Sequence, residues 1–320
     1  MEEESLLPQA LSINVYKRQT IFIALLSILI ILVMGAVVVF QKIDKLKTDL
    51  ISLQTQLTRE EVAANNVYDK LQKNLDDAEI AQGEVEEDSK SALKSIVCSD
   101  ANRYNNKAQK ALKKYEKYYD NANEYLKEYK IRYEEVKDLV KRINQIQEKL
   151  KMDKGSFTKT TLNDYKKESR KFATLKEKDA TVKKKAQEAQ DFADKLYNAY
   201  IYIMERIVAG ECGSTYCPDT DQFYVMKVIE NRIKNPKFPN TLEGVVFQPG
   251  QYQPTWDGNW YKKADKRTKE NVRKYLRGEV DTGMPDNVVY QAVFKQGDYV
   301  WAHVTNPIDG GHYYCGIYEK

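Results

Sequence analysis

The chain has 320 residues, with 51 Lys and Arg against 47 Asp and Glu, so a net charge of +4 excludes a polyanion binder acting by bulk charge. Seven of its eight prolines and eleven of its fourteen glycines lie after residue 200. That asymmetry excludes a single soluble domain, a disordered chain and a collagen-like repeat, and leaves an anchored helical stalk carrying a compact head.

Residues 20–40 read TIFIALLSILIILVMGAVVVF, without a charge. At about 1.5 Å per residue they are long enough to cross a hydrocarbon core of roughly 30 Å. They lack the short apolar core and small-residue cleavage site of a removable signal peptide, so an uncleaved transmembrane signal anchor behind a cytoplasmic tail, residues 1–19, is expected. Lys17 and Arg18 on one side face Lys42, Lys45 and Lys47 on the other. This margin of one charge favours a cytoplasmic C-terminus, but long C-terminal regions translocate largely regardless of such counts.

An apolar heptad then runs from Ile43 through Leu46, Leu50, Leu53, Leu57, Ala64, Val67, Leu71, Ala78 and Ala81, broken only by Glu60 and Asn74. The spacing predicts a coiled coil over 41–98 that pairs between chains, most simply as a parallel homo-oligomer. The pattern halts at Gly83 and the acidic run from Glu84 to Asp88, then resumes from Tyr104 to Leu150 with only Arg132 out of phase. Lys154-Gly155-Ser156 is expected to break the helix, and a third run extends from Phe172 to Ile203. The last two runs predict an antiparallel helical hairpin over 99–198, also a coiled coil, with tyrosines of one helix lying over alanines of the other. Residues 101–200 carry 26 basic groups against 16 acidic ones. That excess reads as a solvated helical face rather than an attraction for anionic polymer, and no nucleic-acid partner is expected.

The motifs concentrate in 199–320. Ile207-Val208-Ala209-Gly210-Glu211 closes one helix, and Asn231-Arg232 stands near the end of the next. The run from Phe238 to Tyr252, FPNTLEGVVFQPGQY, follows, and His312-Tyr313-Tyr314-Cys315 comes near the C-terminus. Taken in this order, these motifs resemble the cell wall hydrolase family of the spore-cortex-lytic enzymes (SleB-like), over about residues 200–318. The resemblance implies a chain that is mainly α with a C-terminal α+β, lysozyme-like head, of the kind found in lytic transglycosylases. It also implies peptidoglycan glycan strands as partner, no cofactor, and Glu211 as the catalytic residue cleaving the MurNAc-GlcNAc β-1,4 bond. Gln251, Tyr252, Tyr290 and His312 stand at matching positions for substrate binding.

A lone acid makes chemical sense, because it can protonate the leaving oxygen and later take a proton back from a muramic acid 6-hydroxyl that attacks its own C1. Transglycosylation to a 1,6-anhydro product is therefore expected over hydrolysis, which needs a second carboxylate such as Asp219 or Asp221. Ile207, Val208 and Phe247 are the apolar neighbours available to keep the acid protonated. Two histidines and no His/Asp/Cys cluster at ligand spacing argue against a metal. Cys98, Cys212, Cys217 and Cys315 allow three complete pairings. In an extracytoplasmic head, Cys212–Cys217 would close a short loop beside Glu211, with Cys217–Cys315 as the alternative. The link from Cys212 to Gln222 departs from the family's short Gly-containing one, which makes ordinary peptidoglycan a safer expectation than spore cortex. The expected location is the cell membrane, single-pass with an extracytoplasmic head, or a virion or secretion apparatus. A degenerate head that grips murein without cutting it, or a wall-opening part of a phage or conjugation machine, is the rival reading.

Overall fold

The computed structural model describes residues 7–152, 165–213, 215–307 and 310–318. The expected break at Lys154-Gly155-Ser156 and the first six residues of the tail lie outside them. Three long helices, α1 (Leu7–Lys94), α2 (Cys98–Lys149) and α3 (Tyr165–Cys212), precede, besides two short 3-10 turns, four smaller pieces of regular structure. These are α4 (Asp219–Lys234), α5 (Leu242–Val246), α6 (Lys266–Leu276) and a sheet of β1 (Val288–Ala292), β2 (Tyr299–Val304) and β3 (His312–Gly316). From Phe22 to Phe40, α1 is apolar and exposed all round, and it is long and apolar enough to cross a membrane.

Helix α1 passes through Gly83 without a break and turns only at residues 95–97. One glycine in a helix costs only about 1 kcal/mol, and buried Ala78, Ala81, Val85 and Ala92 continue the packed face on both sides of it. The chain divides into two compact units. In the first, Met1–Leu71 with Glu124–Glu168, Leu50, Leu53 and Leu57 are buried against Val136, Leu139 and Ile143 of α2. Arg132, out of phase in the heptad, answers the out-of-phase Glu60 with an ion pair of 3.2 Å. From Leu50 to Leu57, the face expected to pair between chains is thus covered by the chain's own α2, while Ile43 at its start is exposed.

The second unit holds Gln72–Asn123 and Ser169–Lys320. Here α2 runs antiparallel to both neighbours: Asn121 Nδ2 donates to Asn74 Oδ1 at 3.1 Å, Asn105 Nδ2 to Gln190 Oε1 at 2.8 Å, and the Tyr115 hydroxyl to the Leu175 carbonyl at 3.4 Å. Alanines 108, 111, 122, 186, 189 and 193 are buried and allow close helix approach. The expected hairpin therefore gains α1 as a third member.

No linker separates this bundle from the head, because α3 runs unbroken through residues 198–199 to Cys212. Val97 and Cys98 belong to the head core with Met204, Ile207, Val225, Ile229, Val245 and Leu276. At the N-terminus of α2, the Ser99 amide donates to Oε1 of the buried Glu230 at 3.0 Å, the Ser99 hydroxyl bonds Oε2, and the Tyr275 hydroxyl donates to Oε2 at 2.8 Å. A buried carboxylate at a helix N-terminus is a favourable arrangement, since it satisfies an orphan amide and opposes the positive end of the dipole. The three-stranded sheet is antiparallel in the order β1-β3-β2.

Candidate active site

Glu211 occupies the last turn of α3. The helix can end there because a Cβ on Gly213 would come within 2.2 Å of the Ala209 carbonyl oxygen, so the chain leaves through a passage open only to glycine. The residue as a whole is half-buried. Oε1 is sealed from solvent without a hydrogen-bond partner among the described residues, while Gln291 Nε2 approaches Oε2 at 3.5 Å. Burial lifts its pKa from an ordinary 4.5 to about 7. His312, Gln291 and Arg232 pull it down and Asp257 pushes it up, but loss of hydration prevails.

The sheet supplies the second side of the site. Residues directly opposite in an antiparallel pair share a face, as do alternate residues of one strand. Gln291 pairs with Tyr314, and His312 lies two positions from Tyr314, so these three look the same way. They meet the first turn of α4 and the end of α3. His312 Nδ1 lies 2.9 Å from Asp221 Oδ2, and the Tyr314 hydroxyl bonds Asp221 Oδ1. Asp221 is fully buried, with the sulfurs of Cys212 and Cys217 3.2 and 3.1 Å from Oδ2. Those cysteines form a disulfide, whereas Cys98 and Cys315 are free and buried, so the alternative bridge to Cys315 is not made. Cys212, Cys217 and Asp221 are metal-ligand types brought within 4.8 Å of one another, but the disulfide consumes both sulfurs.

A buried arginine forms the third side. Arg232 donates from Nε to the Val289 carbonyl at 2.6 Å, and its guanidinium lies 5.2 Å from the rings of Phe238 and Tyr252 and 5.9 Å from that of Tyr290. A weakly hydrated cation among ring faces is favourable where water is excluded. The register shift between Val288 and Tyr290 lets two successive valines face inward and points the Val289 carbonyl at the arginine.

The residues singled out in the sequence fall in different places. Glu211 and His312 come together. Tyr252 is buried in the core beside Arg232, and burial pushes its phenol up to about 12. Tyr290 is half-buried against Phe238, and Gln251 is exposed on the turn after Gly250. Ile207 and Val208 are sealed in the core, while Phe247 lies partly open against Trp260 at 4.9 Å. Asp219 is spent on Arg267 at 3.0 Å and Asn271 at 2.8 Å. Gln291, Arg232 and Asp257, none of them proposed as site residues, are the groups that join Glu211. Asp257 accepts from the Asn259 amide at 2.8 Å and from Nδ2 at 2.7 Å, which holds an exposed carboxylate near the acid.

A family model described as Cell Wall Hydrolase matches residues 217–314, so the resemblance carried by the motifs holds for the C-terminal region. Glu211 stands just ahead of the matched range. A spore cortex-lytic enzyme of Halalkalibacterium halodurans is 28% identical over 115 residues, 36% of this chain and 34% of the relative. That of Bacillus cereus is 29% identical over 117 residues, 36% and 43% of the two chains. A third, from Bacillus subtilis, is 31% identical over 81 residues, 25% of this chain and 26% of the relative. The chain therefore spans well under half the length of the curated relatives it matches. The crystal structure of the catalytic domain of the Bacillus cereus SleB protein is similar at 29% identity, covering 36% of this chain and 88% of that one, with a TM-score of 0.28.

Proposed function

We propose that this chain is a membrane-tethered enzyme that cleaves the MurNAc-GlcNAc β-1,4 bond of peptidoglycan as a lytic transglycosylase, with Glu211 as its single acid and base. The observation that carries this reading is the Glu211 carboxyl itself: held at a helix end, raised to about 7, and left with one oxygen unpartnered. Near neutral pH such a group holds a proton and retains the capacity to accept one. Protonated Glu211 gives its proton to the glycosidic oxygen as the C1–O4 bond breaks. The muramic acid 6-hydroxyl then adds to C1 and returns its proton to the carboxylate, which closes a 1,6-anhydro ring and regenerates the acid. Arg232 supplies positive charge, and His312, held through Nδ1 by Asp221, also lowers the pKa of Glu211, so both favour the carboxylate formed between the two transfers.

In this reading, residues 1–19 are a cytoplasmic tail, 20–40 span the membrane, and 41–98 with 99–198 form a coiled-coil stalk. Residues 199–320 form an extracytoplasmic, lysozyme-like catalytic domain. Gln251 and Tyr290 serve the sugar directly, and buried Tyr252 acts on it through Arg232. The similarity to cortex-lytic enzymes supports the substrate class. Asp257 favours one rival, hydrolysis, because it is a second carboxylate, exposed and near enough to raise the acid. Glu211→Gln tests the common part of both readings. It keeps the shape and removes the transferable proton, so murein solubilisation should fall by about 10²-fold or more while sedimentation with murein persists. Cleavage at the normal rate by this variant removes Glu211 from the mechanism.

A further inference from the structure

Three residues four apart on α3, Tyr202, Arg206 and Gly210, share one helix face that ends beside Glu211. The segment from Gln253 to Tyr261, two short 3-10 turns, lies across that face. Gly210 is its seat: a Cβ there would come within 2.5 Å of the Pro254 ring. Arg206 is its clasp, donating from Nη1 to the Trp260 carbonyl at 2.8 Å while its guanidinium lies 4.4 Å over the Tyr202 ring and 6.0 Å from that of Trp260.

Four aromatic rings on this helix face, on the segment across it and beside Trp260 are turned to solvent. Tyr202 is 58% exposed, Phe247 47%, Trp256 57% and Tyr261 79%. Gly210, against the Pro254 ring, immediately precedes Glu211, so the segment that carries Trp256 and Tyr261 reaches the candidate site. Large aromatics held open on braced backbone mark a surface built to be covered. A sugar ring suits it, because its axial C–H bonds form an apolar face the size of an aromatic ring while its edge hydroxyls stay in water. A glycan strand entering a site at Glu211 must also lie along some surface for several sugars beyond the bond cut.

We infer that Tyr202, Arg206, Phe247, Trp256, Trp260 and Tyr261 form a stacking platform for peptidoglycan glycan, the run of sugar subsites on one side of the scissile bond. This rests on the reading of Glu211 as the cleaving group. Trp256 and Tyr261 are the specificity-determining contacts, and Arg206 is a positioning residue that braces the rings.

The test uses full-length protein in detergent, with murein glycan strands graded by length. Trp256→Ala and Tyr261→Ala, each truncating an exposed ring, should raise KM on long strands by about 5- to 10-fold and leave kcat and the pH profile unchanged. The effect should shrink on the shortest strand that is cut, and Trp256→Phe should restore KM. Binding is measured separately in the Glu211→Gln background by tryptophan fluorescence during titration with a murein oligosaccharide. The signal should change on binding and should weaken with the loss of Trp256. Unchanged KM and undiminished sugar affinity in both alanine variants overturn the platform while leaving Glu211 in place. Cleavage by Glu211→Gln overturns the catalytic reading instead, and the fluorescence titration still decides the platform.

Discussion

A proton donor kept out of water should cost the fold stability that its removal returns. Glu211 titrates at about 7 in the folded head against an ordinary 4.5, so between those values the folded state keeps a proton that the unfolded chain releases. Stability therefore falls as pH rises from about 4.5 through 7 and is level beyond. At about 1.36 kcal/mol per pH unit, the span from 4.5 to about 7 is worth about 3 kcal/mol. Glu211→Gln cannot ionise and escapes that loss, although its buried amide costs about 1 kcal/mol of its own. The variant should thus be about 1 kcal/mol less stable than wild type at pH 4.5 and about 2 kcal/mol more stable at pH 8. Trp256, Trp260 and Trp301 are the only tryptophans and all lie in the head, so their fluorescence during urea unfolding of the detergent-solubilised chain reports this region alone. A difference between variant and wild type that does not change with pH would refute the reasoning. So would one that shifts toward wild type at pH 8, since either means that the folded head accommodates ionised Glu211 without cost.

Glu230→Ala should destabilise the head by about 2–4 kcal/mol in the same urea assay, because it strands the Ser99 amide and the Tyr275 hydroxyl it serves. A fragment beginning at residue 199 should unfold at lower urea than the intact chain, since it leaves buried Glu230 without Ser99. Reducing Cys212–Cys217, which closes a loop with a sequence separation of 5, should cost about 2 kcal/mol and slow murein cleavage; unchanged rates would detach the loop from the site. Sedimentation of the detergent-solubilised chain at micromolar concentration should show a monomer, given the heptad face covered by α2, and a dimer would require a second seam. Protease added to intact spheroplasts should remove the head, and digestion only after lysis would place it in the cytoplasm.

The heptads named many of the buried positions of the three long helices, because a 3-4 spacing fixes a helix face whatever covers it. They could not name the partner: Leu50 and Leu57 pack equally well on another chain or on α2. Gly83 with its acidic neighbours reads as a break in sequence, yet a single glycine costs less than the packing of Val85 and Ala92 returns. In the candidate site, Glu211 could be nominated only through the order of several motifs. Gln291 was hidden because its link to Glu211 depends on strand register and on the shift at Val288 and Tyr290, which no local pattern encodes. Arg232 stood in a quoted motif, but its burial among three aromatic rings comes from segments far apart in the chain. Alternation in His312-Tyr313-Tyr314 was the one signal that could have placed His312 and Tyr314 on a common inward face.

Digestion of purified murein by the full-length protein in water enriched in oxygen-18 reads directly how the glycosidic bond is broken. Mass spectrometry of the released sugars should find 1,6-anhydromuramic termini without the heavy isotope, because the muramic acid's own hydroxyl closes on C1. Reducing termini carrying one heavy oxygen would show that water attacks instead, and would contradict Glu211 as the only acid and base.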